Sequence, residues 1–347
     1  GSPQPQLGES APSADLKRII ILRNGNAPFW DAAAAGARDA EKELNCAADG
    51  FQVVVDRNDF KAEGQIEKLR QYASATDVAA VAISVTDAQN NAIPDELRKL
   101  QKLGIKVVTI DSDVNRENGR DSRFAYLGTD NIVGGRELGV AAKNLQPNGG
   151  KYATFVGLKN AANAQERIGG FGQGVGDKFT QAENLGDGGD EAVARSNVKD
   201  ALDRNADMAV LAGIWSYNTP AIIDIVKQLN ARDKLKLVGF DADPPAIRGM
   251  GEGMLDAMVV QNPYQMGFQG VRILKALVKN DEATVKEMFP NHVLQMAICS
   301  TPACSFDGNQ NGAKSVTLTT TADAMSSVHH TGIRGRSAAS HARDSVS

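Results

Sequence analysis

From Leu16 onward, short apolar runs alternate with amphipathic stretches. Ile19–Leu22, Phe51–Val55, Val78–Ser84 and Lys106–Ile110 are rich in β-branched or small apolar residues and read as strands. Between them, Asp31–Leu44, Ala62–Ala73 and Asn91–Leu103 read as helices; Ile66, Leu69 and Tyr72 or Ala73, and then Ile93, Leu97 and Leu100, recur at the spacing of one helix face. The polar stretch Asp113–Arg123 interrupts the pattern, and a second round follows. Its strands are expected at Ala125–Leu127, Tyr152–Val156, Ala182–Leu185, Met208–Ala212, Lys236–Phe240 and Ala257–Gln261. Its helices are expected at Asn131–Leu145, Ala164–Phe179, Glu191–Leu202, Pro220–Leu229, Pro244–Gly251 and Tyr264–Val278. Such alternation predicts an α/β fold with parallel sheets covered by helices on both faces. Two rounds of similar size predict two lobes rather than one sheet. After about Ser300 the pattern stops, and 301–347, rich in Ser, Thr, Ala and Gly, reads as a mobile tail.

In open α/β sheets ligands bind at the carboxyl ends of the strands, so the residues that end strands or open helices there are the candidates. In the first round these are Asn26, Phe29 and Trp30 within NGNAPFW, then Ser84, Thr86, Asp87, Asp111 and Asp113; in the second, Asn160, Asn163, Arg167, Trp215, Tyr217, Asn218, Asp241 and Gln261. Two adjacent aromatics stand out in a chain with 5% aromatic residues. An aromatic face covers the C–H side of a sugar ring, while carboxylates, amides and an arginine fork serve its hydroxyls. A phosphate would call for a glycine-rich amide cradle and Lys instead. Each residue also has a plainer reading. Phe29 and Trp30 would staple the first helix to the core; Asp111 and Asp241 would cap helices. Arg167 would pair with a surface carboxylate, Asn218 would cap the helix after it, and Gln261 would be a turn residue. Recurrence at one sheet edge favours the binding reading.

With 347 residues, 42% hydrophobic and 23% charged, the chain has the length and composition of a two-domain globular protein. A net charge of −4 leaves no basic footprint for nucleic acid or anionic membrane. No apolar run approaches the roughly 18 residues that span a bilayer. Gly1-Ser2 resembles a cloning scar and residues 1–15 a polar leader, so the lack of a signal peptide does not fix the compartment. Cys46 stands apart, while Cys299 and Cys304 suit either a disulfide or two free thiols. His292, His329, His330 and His341 have no zinc-like spacing, and DGNQNG (Asp307–Gly312) lacks the calcium-loop glutamate, with Leu318 in its place. No metal and no cofactor are expected.

The order and spacing of NAPFW (Asn26–Trp30), VTIDSD (Val108–Asp113), GTDNIVGG (Gly128–Gly135), QERIGGF (Gln165–Phe171), LVGFDADP (Leu237–Pro244) and VVQNP (Val259–Pro263) resemble the ribose- and galactose-type periplasmic sugar-binding proteins, the solute receptors of ABC importers. The resemblance runs from about Leu16 to Met296. It implies two doubly wound parallel-sheet lobes joined by a three-segment hinge, of the type I periplasmic-binding-protein kind. One lobe would comprise 16–129 with 262–290, the other 130–261 with 291–300. It implies ligand contacts from Phe29, Trp30, Asp111, Arg167, Asp241 and Gln261, with Asp130 and Asn262 at the hinge. It further implies a monomer in the periplasm or another extracytoplasmic space that presents a monosaccharide or small polyol to a membrane ABC permease.

This chain departs from the ribose-type pattern in three places. Ser112 replaces an Arg, Gly213–Asn218 replaces an Asn-Asp pair, and no aromatic stands near Gly189. These departures argue against ribose itself and suggest Trp215 as a second stacking face opposite Trp30. Other classes fit less well. NGNAPFW fails the GxGxxG of a dinucleotide site. A glycosidase could pair Asp111 with Asp241, a combination that turnover alone would tell from binding. The segment before Leu16 is too short for the helix-turn-helix of a regulator. A receptor that presents its sugar to a signalling partner would look the same in its core.

Overall fold

The computed structural model describes residues 16–289, together with the backbone of 314–317. The first lobe contains β1 (Lys17–Leu22), α1 (Phe29–Glu43), β2 (Phe51–Asp56), α2 (Ala62–Ser74), β3 (Val78–Ile83), α3 (Ala92–Lys102), β4 (Lys106–Ile110) and β5 (Tyr126–Leu127). The second contains α4 (Asn131–Leu145), β6 (Gly150–Val156), α5 (Ala162–Val175), β7 (Phe179–Gly186), α6 (Glu191–Arg204), β8 (Met208–Gly213), α7 (Asn218–Gln228), β9 (Lys236–Phe240), α8 (Pro244–Gly251) and β10 (Ala257–Val260). The chain then forms α9 (Pro263–Lys279), α10 (Glu282–Met288) and, further on, β11 (Lys314–Thr317). The sheets run β2-β1-β3-β4-β5 and β11-β10-β9-β8-β6-β7, with parallel pairing throughout.

Both faces of each sheet are buried, so the strands read as continuous apolar runs. On β1, Ile19 and Ile21 face the core shared with α1 and α9, while Ile20 and Leu22 face the core under α2 and α3. On β8, Val210 and Ala212 face α4 and α5, and Leu211 the opposite face. Met266, Val271, Ile273 and Leu274 of α9 belong to the first lobe's core, so the chain returns there after β10.

One helix pair in each lobe packs backbone to backbone. A Cβ on Gly267 of α9 would stand 1.9 Å from the Ala33 carbonyl oxygen of α1, and one on Gly135 of α4 2.1 Å from that of Arg167 on α5. Only glycine permits this approach. The second contact fixes the helix that carries Arg167.

The chain crosses between lobes beside two helix caps. Asp130 caps α4 by accepting from the Val133 amide at 3.1 Å, and Asn262 caps α9 by accepting from the Gln265 amide at 3.1 Å. Phe289 packs on the first lobe's core, and β11 pairs with β10 in the second lobe's sheet.

The observed elements differ from the expected ones in four respects. Helix α5 stops at Val175, where Gly176 takes φ +74°, and β7 begins at Phe179 rather than Ala182. Strand β7 lies at the sheet edge and is mostly polar, which hid its length from hydrophobic patterning. Helix α10 was not expected; Val285 and Met288 on it, and Phe289 just after it, pack on the first core. Strand β11 falls inside the stretch read as a patternless tail. Cys299, Cys304, the four histidines and the DGNQNG fragment lie outside the described residues, and Cys46 is buried and free.

Candidate functional site

Asp111 directly follows β4 and Asp241 directly follows β9, equivalent positions in the two lobes. Both are buried and both adopt a left-handed backbone, φ +58° and +72°. Such a conformation costs of order 1 kcal/mol for a residue with a Cβ. Neither acts as a helix cap: Asp243 precedes α8, and no α-helix follows Asp111 before α4. The strained turns aim both carboxylates into the space between the lobes.

Arg167 on α5 joins the two halves. It is 1% exposed, and its Nε donates to Asn131 Oδ1 (2.8 Å), one terminal nitrogen to the Ile214 carbonyl (3.0 Å) and the other to Gln261 Oε1 (2.7 Å). That last nitrogen also lies 3.9 Å from Asp111 Oδ1 in the opposite lobe, and the guanidinium stacks 4.4 Å over the Phe240 ring. Arg167 is thus no surface ion-pair residue. Gln261 receives the Thr129 hydroxyl (2.8 Å) and donates to Asp241 Oδ1 (2.9 Å). Asn163 Nδ2 crosses the cleft to Asp111 Oδ1 (3.2 Å), while Asn163 Oδ1 accepts from the Trp215 indole (3.2 Å). The Ser84 hydroxyl donates to Asp111 Oδ2 (2.8 Å).

Burial dominates the electrostatics. It raises both carboxyl groups: Asp111 against the pull of Arg167, Ser84 and Asn163, and Asp241, pushed up to about 7, against Arg167 and Gln261.

Asp111, Asn163, Arg167, Trp215, Asp241 and Gln261 line a cavity of about 30 Å³ between the lobes, with Asn24, Ala27, Phe29, Trp30, Phe60, Ser216 and Tyr217 completing its wall. That volume suits about two waters, so a ring-sized ligand requires the lobes to part. Phe29 and Trp30 meet edge to face at 5.2 Å, and the Trp30 indole donates to Asn24 Oδ1 (3.0 Å).

Of the expected ligand residues, Phe29, Trp30, Asp111, Arg167, Trp215, Asp241 and Gln261 line this cavity. Three do not. Asn26 is exposed, and the buried Asn24 takes the place expected of it. Ser84 is fully buried beneath Asp111 and touches the cavity only through it. Asn218 is also fully buried: Nδ2 donates to Asp187 Oδ2 (2.7 Å), and Oδ1 accepts from the Trp215 amide (3.1 Å). It holds the Trp215 turn and does not face the cavity. Trp30 and Trp215 both line the cavity, but the ring partner of Trp215 is Phe60, at 5.9 Å. Phe60 and Asn24 escaped sequence reading. A polar loop hid the first, and the second stood one turn too early in NGNAPFW.

Among the described residues no cluster of His, Cys, Asp and Glu could hold a metal, and no helix is long and apolar enough to cross a membrane.

A family model described as a periplasmic binding protein domain matches residues 19–282. The ribose import binding protein of Escherichia coli (strain K12) is 22% identical over 275 residues, 77% of this chain and 86% of that protein. The D-allose-binding periplasmic protein of the same organism is 22% identical over 298 residues, 83% and 93% of the two chains. Among solved structures, an ABC transporter solute-binding protein from Agrobacterium vitis with bound D-fucose superposes with a TM-score of 0.71 at 24% identity, covering 76% of this chain and 90% of that one. A XylFII–LytSN complex superposes with a TM-score of 0.69 at 24% identity, covering 76% and 94%. At this identity the structural likenesses establish the two-lobed fold.

Proposed function

The chain belongs to the periplasmic binding protein family, and from that premise we propose that it is an extracytoplasmic receptor that clamps a monosaccharide or small polyol between its lobes and delivers it to an ABC importer. The observation that carries this reading is the convergence of Asp111, Asn163, Arg167, Asp241 and Gln261, drawn from both lobes, on one cavity walled by Phe29, Trp30 and Trp215. The donors and acceptors are mixed and the walls aromatic, as a neutral polyhydroxyl ligand requires. The names of the relatives, which mention ribose, allose and fucose, support a sugar of that size.

The mechanism is a population shift. In the open form the site groups are wet. A sugar that bonds to both lobes binds the closed form better and draws the equilibrium toward it. Closure excludes water and makes every unpaired hydroxyl costly, which gives selectivity. A dissociation constant near ~1 μM, about −8 kcal/mol, would permit both capture and release. The protein acts as a monomer and a binder rather than a catalyst, and the closed shape is what the permease recognises.

A thermal-shift screen against aldopentoses, aldohexoses, ketoses and polyols, followed by calorimetric titration of the best compound, tests this reading. One tight 1:1 complex is expected; no binding by any of them would sink it. The XylFII–LytSN complex among the structural neighbours favours one second reading, in which the loaded receptor engages a signalling partner instead of a permease.

A further inference from the structure

Phe60 lines the cavity, but the clamp described above assigns it no task. This residue sits on the first lobe in the loop between β2 and α2, and its backbone is left-handed, φ +63°, a conformation an aromatic residue seldom holds. The loop is pinned from below. The Phe60 amide donates to the Asn24 carbonyl (2.9 Å), and Asn58 Nδ2 donates to the carbonyls of Asn24 (3.1 Å) and Lys61 (3.0 Å). The ring then crosses the cleft. It packs on the second lobe's core and lies over Trp215, with 30° between the ring planes.

Two glycines make room for it. A Cβ on Gly25, in the first lobe, would stand 2.1 Å from Phe60 Cζ; a Cβ on Gly189, in the second, would stand 2.2 Å from Phe60 Cδ2. Gly189 also needs its φ of +86°, but Gly25 is not left-handed. What position 25 requires is space for the Phe60 ring. The second lobe carries no aromatic of its own at Gly189, and the first lobe supplies one across the gap.

We propose that Phe60 determines ligand size: seated in the Gly25–Gly189 slot against Trp215, it walls one side of the cavity and restricts the site to a single unsubstituted ring. The proposal rests on the sugar-receptor reading. A methyl glycoside or disaccharide whose substituent points to this side must displace the ring and lose its contact with Trp215. A free monosaccharide meets the ring only as a wall, within the parting of the lobes that any sugar ring needs.

The test has two arms. In the first, wild type and Phe60→Ala are titrated calorimetrically with the best monosaccharide, its two methyl glycosides and a disaccharide containing it. Wild type should prefer the free sugar by at least roughly tenfold, and the variant should lose most of that preference. Unchanged discrimination in the variant overturns the proposal. The second arm needs no sugar. Gly25→Ala should lower Tm in the wild type and have little effect in the Phe60→Ala background; equal losses in both backgrounds would show that the ring does not occupy the slot. Phe60→Asn, which tolerates a left-handed backbone, replaces Phe60→Ala should that variant not fold. A wild type that binds no monosaccharide sinks the receptor reading and the size rule together, while the Tm comparison still decides whether Phe60 fills the slot.

Discussion

Arg116 and Glu166 meet at 3.1 Å across the cleft, one from the loop after β4 and the other from α5, one position before Arg167. Arg116 also bonds Asp113 (3.1 Å) and lies 5.4 Å over the Tyr126 ring, so the first lobe holds it in place. The ion pair forms only when the lobes meet and does not line the cavity. Both side chains keep partial exposure, 27% and 20%, which limits the pair to about 0.5–1 kcal/mol. Glu166→Gln should therefore weaken ligand binding by about two- to fivefold, mainly through faster dissociation. Stopped-flow fluorescence measures this; a slower association with unchanged dissociation would place the pair outside the closing step.

Closure should depend on pH. In the closed cleft burial holds the Asp241 carboxyl at about 7, up from an ordinary 3.8, and raises Asp111 too. Between those values the closed form keeps a proton that the open, hydrated form has released. Closure is therefore favoured at low pH and weakens as pH climbs toward 7, with Asp241 alone contributing of order 4 kcal/mol at most. Small-angle scattering of the ligand-free protein should give a larger radius of gyration at pH 8 than at pH 5. Asp241→Asn should shrink that difference. A radius that falls with rising pH would contradict the assignment.

Arg167 cannot be replaced by another cation. Its fork serves Asn131, Ile214 and Gln261 at once, in a site 1% exposed. Arg167→Met leaves buried acceptors unpaired at about 1–3 kcal/mol each, and Arg167→Lys cannot span the three directions. Both variants should lose ligand binding by more than about a hundredfold, and Arg167→Met should also unfold at lower urea. Calorimetry and urea titration read the two effects; a lysine variant with near-normal affinity would refute the fork.

The sequence carried the fold plainly, because a parallel sheet buried on both faces writes its strands as unbroken apolar runs such as Ile19–Leu22. It failed at β7, whose edge position lets Thr180–Asn184 stay polar. The candidate cavity was legible where a side chain follows a strand and points inward, as Asp111 and Asp241 do. It was not legible where two candidates lie close together. Asn24 and Asn26 are chemically identical, and only the backbone turn after β1 buries one and exposes the other. Asn218 misled for a related reason: a buried amide that supports a turn has the same composition as one that holds a ligand. Phe60 gave no signal, since its partners Gly189 and Trp215 are distant in sequence.

The asparagines offer the sharpest contrast between supporting and contacting roles. Asn24 Oδ1 accepts the Trp30 indole, and its carbonyl receives Phe60 and Asn58, so its side chain orients one aromatic wall while its backbone anchors another. Asn24→Ala strands a buried indole N–H, at about 1–3 kcal/mol, and should weaken sugar binding with a shift in Trp30 emission. Asn26→Ala removes an exposed amide and should leave affinity within about twofold. Asn218→Ala deprives Asp187 Oδ2 and the Trp215 amide of a partner, so its first effect should be on stability, with affinity falling through the loosened Trp215 turn. Paired Tm and affinity measurements separate the three. If Asn26→Ala proved the most damaging to affinity and Asn24→Ala silent, the first strand's turn would point the opposite way from the one described.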